Sequence, residues 1–329
     1  MANKHCFYSS FNKAYCAQAL LMAESLRRVY GSSVDMVAVM VDKLEPNEIA
    51  YFDVFDRLLF INELDIPNFN HWIFGLNIVE AATAVKPFAL CHLLEQYEHV
   101  TYLDPDIMVY SALDEVVASK QKWSITLTPH QTVPQSEAWV IESTELESLR
   151  FGVYNLGFLS VRANTEGKQV AKWWRDRCYD YCVEDTERGL FTDQKLFDSA
   201  PALFAEVNVL RHSGYNVATW NLRERNVTFE NDKLLSNNQP LRFCHFTKAT
   251  HIGAFAMDRM LNGPNRFEEL FYSYLAKMNA KKLALAGLNS QWAYGFYDDG
   301  SPIDGEARKD FRRLGEDRWD AVDPFKRII

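Results

Sequence analysis

The 329-residue sequence predicts an α/β protein: a mainly parallel central sheet with helices on both faces, followed by a helical C-terminal extension. Three observations carry this. Short apolar runs alternate with amphipathic stretches over the first hundred residues, the pattern of strands joined by crossover helices. Val34 to Val41 is nearly all apolar, as expected of a parallel strand covered on both faces. From about residue 265 the pattern turns to a helix and then to charged sequence punctuated by aromatics.

Residues 5–9 read as the first strand, with Ser9, Ser10 and Asn12 as start chemistry for the helix that follows. Tyr15, Ala19, Met22, Leu26 and Val29 fall on one helical face, and Gly31 stops the run. Val34 to Val41 is the second strand and Leu58 to Ile61 a short third. Val85 to Gln96 predicts a helix whose Pro87 is tolerable in the first turn. His99 to Leu103 is a strand ending abruptly in Asp104-Pro105-Asp106, and Trp123 to Leu127 is another. Gly152 to Arg162 is a loop entering a strand, and Gln169 to Cys182 an amphipathic helix. Residues 211–247 are strands and turns, and Arg266 to Leu285 is a helix. Trp292, Tyr294, Phe296, Tyr297, Trp319 and Phe325 mark the tail as wrapping the core. The expected division is a main domain over 1–262 and an extension packed on it over 263–329.

Hydrophobic residues make up 48% and charged residues 24%, the balance of a globular chain. Lys and Arg number 35 against 44 Asp and Glu, a net charge of −9. That excludes broad nucleic-acid binding, which needs basic residues on phosphates. A polyanionic ligand would need help, and a divalent cation is one form of it. Cys6, Cys16, Cys91, Cys178, Cys182 and Cys244 contain no CxxC pair and read as reduced, mostly buried thiols of a cytoplasmic protein. The first residues show no apolar region of a signal peptide, and no run of 18 apolar residues would span a membrane. A weak peripheral membrane contact through the aromatic tail stays open.

The sharpest chemical signal is Tyr102-Leu103-Asp104-Pro105-Asp106-Ile107. A strand delivers two carboxylates at its carboxyl end, the edge where open α/β sheets bind ligands. Two close carboxylates favour a cation between them, and Mg²⁺ or Mn²⁺ would bring phosphate oxygens with it. A turn of solvated acids is the plainer alternative.

Tyr-Leu-Asp-x-Asp-Ile resembles the Asp-x-Asp signature of glycosyltransferases of the GT-A fold, a Rossmann-like α/β architecture. The likeness is greatest to the family 8 type, which includes glycogenin and bacterial lipopolysaccharide galactosyltransferases. Other segments follow in that family's order: Ser9-Ser10-x-Asn12-x-x-Tyr15, Lys86, Tyr154-Asn155-Leu156-Gly157-Phe158, Asp193-Gln194 and His245-Phe246. Gly214-Tyr215-Asn216-Val217-Ala218-x-Trp220-Asn221-Leu222 and Cys244-His245-Phe246 look like a bacterial branch concerned with surface polysaccharides. The resemblance covers roughly residues 5–255.

It implies transfer of a sugar from a nucleotide-diphosphate sugar, with UDP as the nucleotide, to a carbohydrate or lipid-linked acceptor at the inner face of the cytoplasmic membrane. Residues 1–110 would form the nucleotide half and 111–262 the sugar and acceptor half. Asp104, Asp106 and His245 would hold Mn²⁺ or Mg²⁺, the imidazole suiting Mn²⁺ somewhat better. Ser9, Asn12 and Tyr15 would bind base and ribose, and Asp104 would also reach the ribose. Lys86 would balance diphosphate charge. Asn155 and Gly157 would line the sugar site, Asp193 would hold sugar hydroxyls, and Gln194 would lie by the anomeric carbon. A retaining, front-face route is implied, although an inverting one with Asp193 or Glu184 as base stays open. Each residue also has a plainer reading: His245 a buried histidine, Lys86 a helix-start lysine, Asp193 a helix cap with Thr192, Trp220 a core residue. His130 either faces the acceptor or is simply exposed.

The pattern departs from the family after His245-Phe246. Where a glycine and a Lys-Pro-Trp clamp would follow, the chain reads Thr247-Lys248-Ala249-Thr250-His251, so Lys248 or His251 would have to replace the clamp. Two other functions compete. A sugar-nucleotide-forming nucleotidyltransferase would open on a glycine-rich loop, which Ser9-Ser10-Phe11-Asn12 is not. A non-catalytic nucleotide- or carbohydrate-binding protein would have no need of all four of Asp104, Asp106, Asp193 and His245.

Overall fold

Seven strands form the central sheet of the computed structural model, which describes residues 4–119, 122–314 and 323–326. Trp319 lies outside the described residues. The strands are β1 (His5–Phe11), β2 (Asp35–Met40), β3 (Arg57–Phe60), β4 (His99–Leu103), β6 (Ile125–Pro129), β7 (Tyr154–Arg162) and β8 (Val207–Val209). Their order across the sheet is β8-β6-β7-β4-β1-β2-β3. Every neighbouring pair is parallel except the two made by β7. A separate antiparallel pair joins β5 (Ile107–Val109) to β9 (Phe243–His245).

Two apolar cores flank the sheet. On one face α1 (Cys16–Tyr30) packs with β5, β9 and α6 (Phe267–Ala284). On the other lie α2 (Ile78–Ala84), α3 (Lys86–Leu93) and α4 (Thr165–Tyr181). The expected mixed α/β sheet, covered on both faces, is therefore present. Gly31 ends α1 as expected: its φ of 56° suits a residue without Cβ, and its N–H donates to Arg27 O.

Local expectations fail at the start of the first helix, while Pro87 falls in the first turn of its helix as expected. Ser9 and Ser10 do not start a helix, because β1 runs on to Phe11 and buries both. Nor does Asn12 cap one with its side chain. Before Lys86 a further helix, α2, meets α3 at Val85, and Pro87 marks the junction because it cannot donate the next helical bond. Asn77 caps α2, its Oδ1 accepting from Val79 and Glu80 while Glu80 returns a carboxylate to Asn77 N–H. That Asn-x-x-Glu box was present in the sequence as a helix-start signal.

The topology creates a junction at the carboxyl end of β4. Because β7 runs antiparallel to β4, its first residues, Asn155 and Gly157, lie beside Asp104, and Asp104 N–H donates to Gly157 O. The β5–β9 pairing sets His245 opposite Ile107, and Phe246 N–H donates to Asp106 O. Residues far apart in sequence thus converge on the turn after β4.

Candidate active site

Asp104, Asp106 and His245 meet at this junction, with one potential ligand atom from each lying within 4.8 Å of the others. His245 Nε2 is 2.9 Å from Asp106 Oδ1 and 3.7 Å from Asp104 Oδ2. Burial works against the imidazolium, but Asp106 and then Asp104 outweigh it and raise the His245 pKa. Two carboxylates from the turn after β4 and one imidazole from β9 are a donor set that fits a divalent ion of the Mn²⁺ or Mg²⁺ type. Gly157 makes the cradle possible. A Cβ there would come within 2.5 Å of His245 Cε1, 2.7 Å of Asn155 Oδ1 and 2.8 Å of Asp104 Oδ2.

Lys86 enters from the first turn of α3. Its ammonium is buried, 3.2 Å from Asp104 Oδ1 and 3.4 Å from Asp193 Oδ2, and donates to Leu156 O at 3.2 Å. Burial alone would lower its pKa, but Asp104 and Asp193 hold it well above the ordinary lysine value. Asp104 shows the reciprocal effect: burial pushes upward, yet Lys86, His245 and a 2.6 Å bond from Tyr102 OH keep it low. Asp193 differs. Burial raises it to about 6 against the pull of Lys86. Thr192, just before it, holds φ at 45°, a strained geometry for a β-branched residue, and the short helix that follows is capped at Gln194 and not by the Asp193 side chain.

A cavity of about 320 Å³ opens onto Asp104 and Asp106. Ser10, Asn12, Tyr15 and Lys86 line it, with Ile78, Val79, Ala82 and Thr83 of α2 on the far wall. Asn12 Oδ1 is buried there without a hydrogen-bond partner among the described residues, an acceptor free for a ligand. Tyr15 stands at the mouth, 45% exposed. Ser9 does not line this cavity. Alternation along β1 turns it to the α1 face with Phe7 and Phe11, while Ser10, on the Tyr8 face, donates to Ala82 O at 2.7 Å.

A second cavity, of about 180 Å³, lies beyond Asn155 and is walled by His130, Gln131, Ser148, Gly152, Gln194 and Trp220, among others. The paired Asp193-Gln194 thus splits. Asp193 reaches Lys86, whereas Gln194 donates to Phe151 O and faces the second cavity. Trp220 stands edge-on between His130 and His245, with ring centroids 5.6 and 5.4 Å away. Asn221 is spent on backbone, donating to His130 O and Asn216 O and accepting from Ala218 N–H.

His130 is not exposed to solvent as a free side chain. Burial pushes it down to about 4, and its ring nitrogens sit 3.2 Å from Val153 O and 3.2 Å from Asn155 Nδ2. Lys248 is exposed and forms no ion pair among the described residues. Its φ of 50° occupies the left-handed conformation that a glycine would take. His251 begins α5 (His251–Met260), also exposed, and Glu184 is exposed and lines neither cavity. Thr247, which no motif marks, places Oγ1 2.9 Å from His245 Nε2. No helix among the described residues is long and apolar enough to cross a membrane.

No protein-family model matches the chain. Two curated Bacillus subtilis (strain 168) proteins, YfnF and YfnD, both described as uncharacterized, are 28% identical over 174 residues and 29% identical over 177 residues. The matches cover 51% and 52% of this chain but 56% and 54% of theirs, so the chain spans about half the length of the curated relatives it matches. Among solved structures it is similar to the galactosyltransferase LgtC, in complex with donor and acceptor sugar analogues, with a TM-score of 0.46 at 15% identity over 80% of this chain and 99% of that one. It is also similar to the glycosyltransferase GlyE of Streptococcus pneumoniae TIGR4, with a TM-score of 0.46 at 13% identity over 90% and 67% of the two chains. The bifunctional glycosyltransferase WbbM gives 0.46 at 14% identity over 83% and 51%.

Proposed function

We propose that this chain is a metal-dependent glycosyltransferase that moves a sugar from a nucleotide-diphosphate sugar, with UDP as the nucleotide, to a carbohydrate or lipid-linked acceptor. The observation that carries the reading is the convergence of Asp104, Asp106 and His245, the two carboxylates lining a nucleotide-sized cavity with the buried cation of Lys86 alongside. Asp104, Asp106 and His245 would hold a divalent ion, which would supply Lewis-acid neutralisation of charge on the leaving diphosphate.

The chain's own residues have distinct tasks. Asn12 and Tyr15 hold base and ribose at the cavity mouth. Lys86 supplies a fixed positive charge to the diphosphate, and a cation already in place needs no reorganisation as negative charge develops. Tyr102 orients Asp104 through its 2.6 Å hydrogen bond. Asp193 accepts from sugar hydroxyls, while Asn155 and Gly157 shape the floor beneath the ring. Gln194 and Trp220 face the second cavity, which serves the acceptor. In the retaining route, the bond from anomeric carbon to phosphate oxygen breaks as the acceptor oxygen attacks the same face. The acceptor's proton leaves with the diphosphate. A neutral amide such as Gln194 is too weak a nucleophile for a covalent intermediate. The physiological setting in this reading is surface-polysaccharide or lipopolysaccharide assembly at the cytoplasmic face of the membrane, with Mn²⁺ as the ion.

The test joins binding to turnover. Thermal unfolding with UDP, GDP, CDP or TDP, each with and without Mn²⁺, should shift for UDP with metal. Saturation at about 100 times the dissociation constant adds about 2.7 kcal/mol. UDP-sugars should then release UDP, and Asp106→Asn should abolish that release while the fold is kept. An active Asp106→Asn enzyme sinks the metal assignment, pyrophosphate release would mark a nucleotidyltransferase, and binding without turnover would mark a binding protein.

A further inference from the structure

We infer that His130 is a positioning residue for the ion site: through the amide of Asn155 it fixes His245 Nδ1 as a donor and so aims Nε2 at Asp104 and Asp106. The inference rests on the metal reading above.

The argument starts from groups whose roles are fixed. Val153 O can only accept, so His130 Nδ1, 3.2 Å away, carries the proton and donates. A neutral ring with its proton on Nδ1 leaves Nε2 as an acceptor. Its partner at 3.2 Å is Asn155 Nδ2, which donates. That settles which end of the amide faces which way, and Gly157 supplies an independent check. Its backbone N–H, which can only donate, lies 3.2 Å from Asn155 Oδ1. The same Oδ1 lies 3.1 Å from His245 Nδ1, so His245 donates from Nδ1. The other ring nitrogen, Nε2, is thereby turned to Asp106 and Asp104, 2.9 and 3.7 Å away, and when protonated it donates to Asp106 Oδ1. Metal-binding histidines are commonly held in this way, by a hydrogen bond at the nitrogen that does not ligate.

His130 is itself anchored. Its backbone N–H donates to Val153 O at 3.0 Å and its carbonyl accepts from Asn221 Nδ2 at 3.1 Å. The ring edge meets Trp220, whose own edge meets His245. The anchor exists because the β6–β7 register breaks after Leu127, so that Pro129 pairs with Tyr154. Residues 155–158 are thereby released from β6 at the point where they meet the turn after β4.

The experiment compares wild type, His130→Leu and His130→Gln as full-length proteins. Leu removes the acceptor for Asn155, whereas Gln can accept from Asn155 and donate to Val153 O. Mn²⁺ affinity is measured by titration without nucleotide. The hydrogen bond from His245 Nδ1–H is read by ¹⁵N NMR of the metal-free protein. His130→Leu should bind Mn²⁺ about 10–100-fold more weakly, and His130→Gln within about threefold of wild type. A slowly exchanging Nδ1–H of His245 should be seen in wild type and His130→Gln and be lost in His130→Leu. Unchanged Mn²⁺ affinity and Nδ1–H signal in His130→Leu would overturn the inference, as would equal losses in Leu and Gln, which would point to ring volume. If wild type binds no Mn²⁺, the metal reading fails, and the Nδ1–H comparison alone decides whether His130 sets the orientation of His245.

Discussion

A methyl group at position 157 would strike His245, Asn155 and Asp104 together, and all three contacts are with side chains, not backbone. Side chains can swing away, so Gly157→Ala should fold. They would swing away from the ion, so the site should fail. The expected outcome is a melting temperature close to wild type with Mn²⁺ affinity lower by an order of magnitude or more, measured by titration. Unchanged affinity would mean that the cradle tolerates displacement and that Gly157 serves only the path of β7. At this scale the sequence was partly legible. Asp104, Asp106, Lys86 and His245 belong to short motifs in a recognisable order, and the structure brings all four together. Thr247 was not legible as a site residue, and His130 only as one that faces an acceptor or solvent, because their contacts come from partners on other strands. Ser9 and Ser10 were legible as a pair, but strand alternation alone decides which one meets the cavity.

The junction between α2 and α3 shows what an element contributes that a motif cannot. Pro87 breaks the helical hydrogen bonding at the point where Lys86 turns inward, and Tyr8 OH donates to Lys86 O to hold it there. The ammonium then serves the buried Asp193 and the half-buried Asp104. Replacing it with an apolar chain of similar length leaves both without their cation. Lys86→Met should cost about 3–5 kcal/mol at neutral pH, the penalty for breaking a buried pair. The sign with pH follows from Asp193, whose pKa is raised by burial to about 6. Without the Lys86 charge that pKa rises further, so the penalty should grow as pH rises above 6 and level off below it. Urea unfolding of both proteins from pH 5 to 8 would show it, and a penalty independent of pH would remove Asp193 from the pair. The parallel strands were readable from their apolar runs. The direction of β7 was not, since a strand buried on both faces looks alike whichever way it runs. The β5–β9 pair was also hidden, because three-residue strands carry too little periodicity.

Across the whole molecule, the C-terminal segment holds the walls of the cavity. Tyr274 of α6 stacks on Phe246, 4.3 Å between centroids, directly behind His245. On the opposite face Trp292 Nε1 donates to Val41 O, and Ala293 N–H donates to Asp42 Oδ1, at the carboxyl end of β2. Arg308, in α7 (Gly305–Leu314), is buried and donates to the carbonyls of Phe74, Leu76 and Tyr294. Phe74 and Leu76 immediately precede α2, whose Ile78, Val79, Ala82 and Thr83 form one cavity wall. Glu80 completes the link, capping α2 and pairing with Arg312 at 3.2 Å. The tail's aromatic pattern predicted that it would pack, but nothing in a charged helix announced which carbonyls its arginine would satisfy. The described residues from 263 to 314 therefore brace the walls of the cavity. Arg308→Ala leaves three buried carbonyls without a charged donor and should cost about 3 kcal/mol or more. Arg308→Lys should recover little, because one ammonium cannot reproduce a planar fork that reaches three acceptors. UDP affinity in the presence of Mn²⁺ should fall several-fold in Arg308→Ala under conditions where the protein is still fully folded. Calorimetric titration beside a denaturant series separates the two effects. A loss of stability with UDP affinity unchanged would confine Arg308 to holding the fold, whereas a parallel loss would extend the donor site's support to the C-terminal helix.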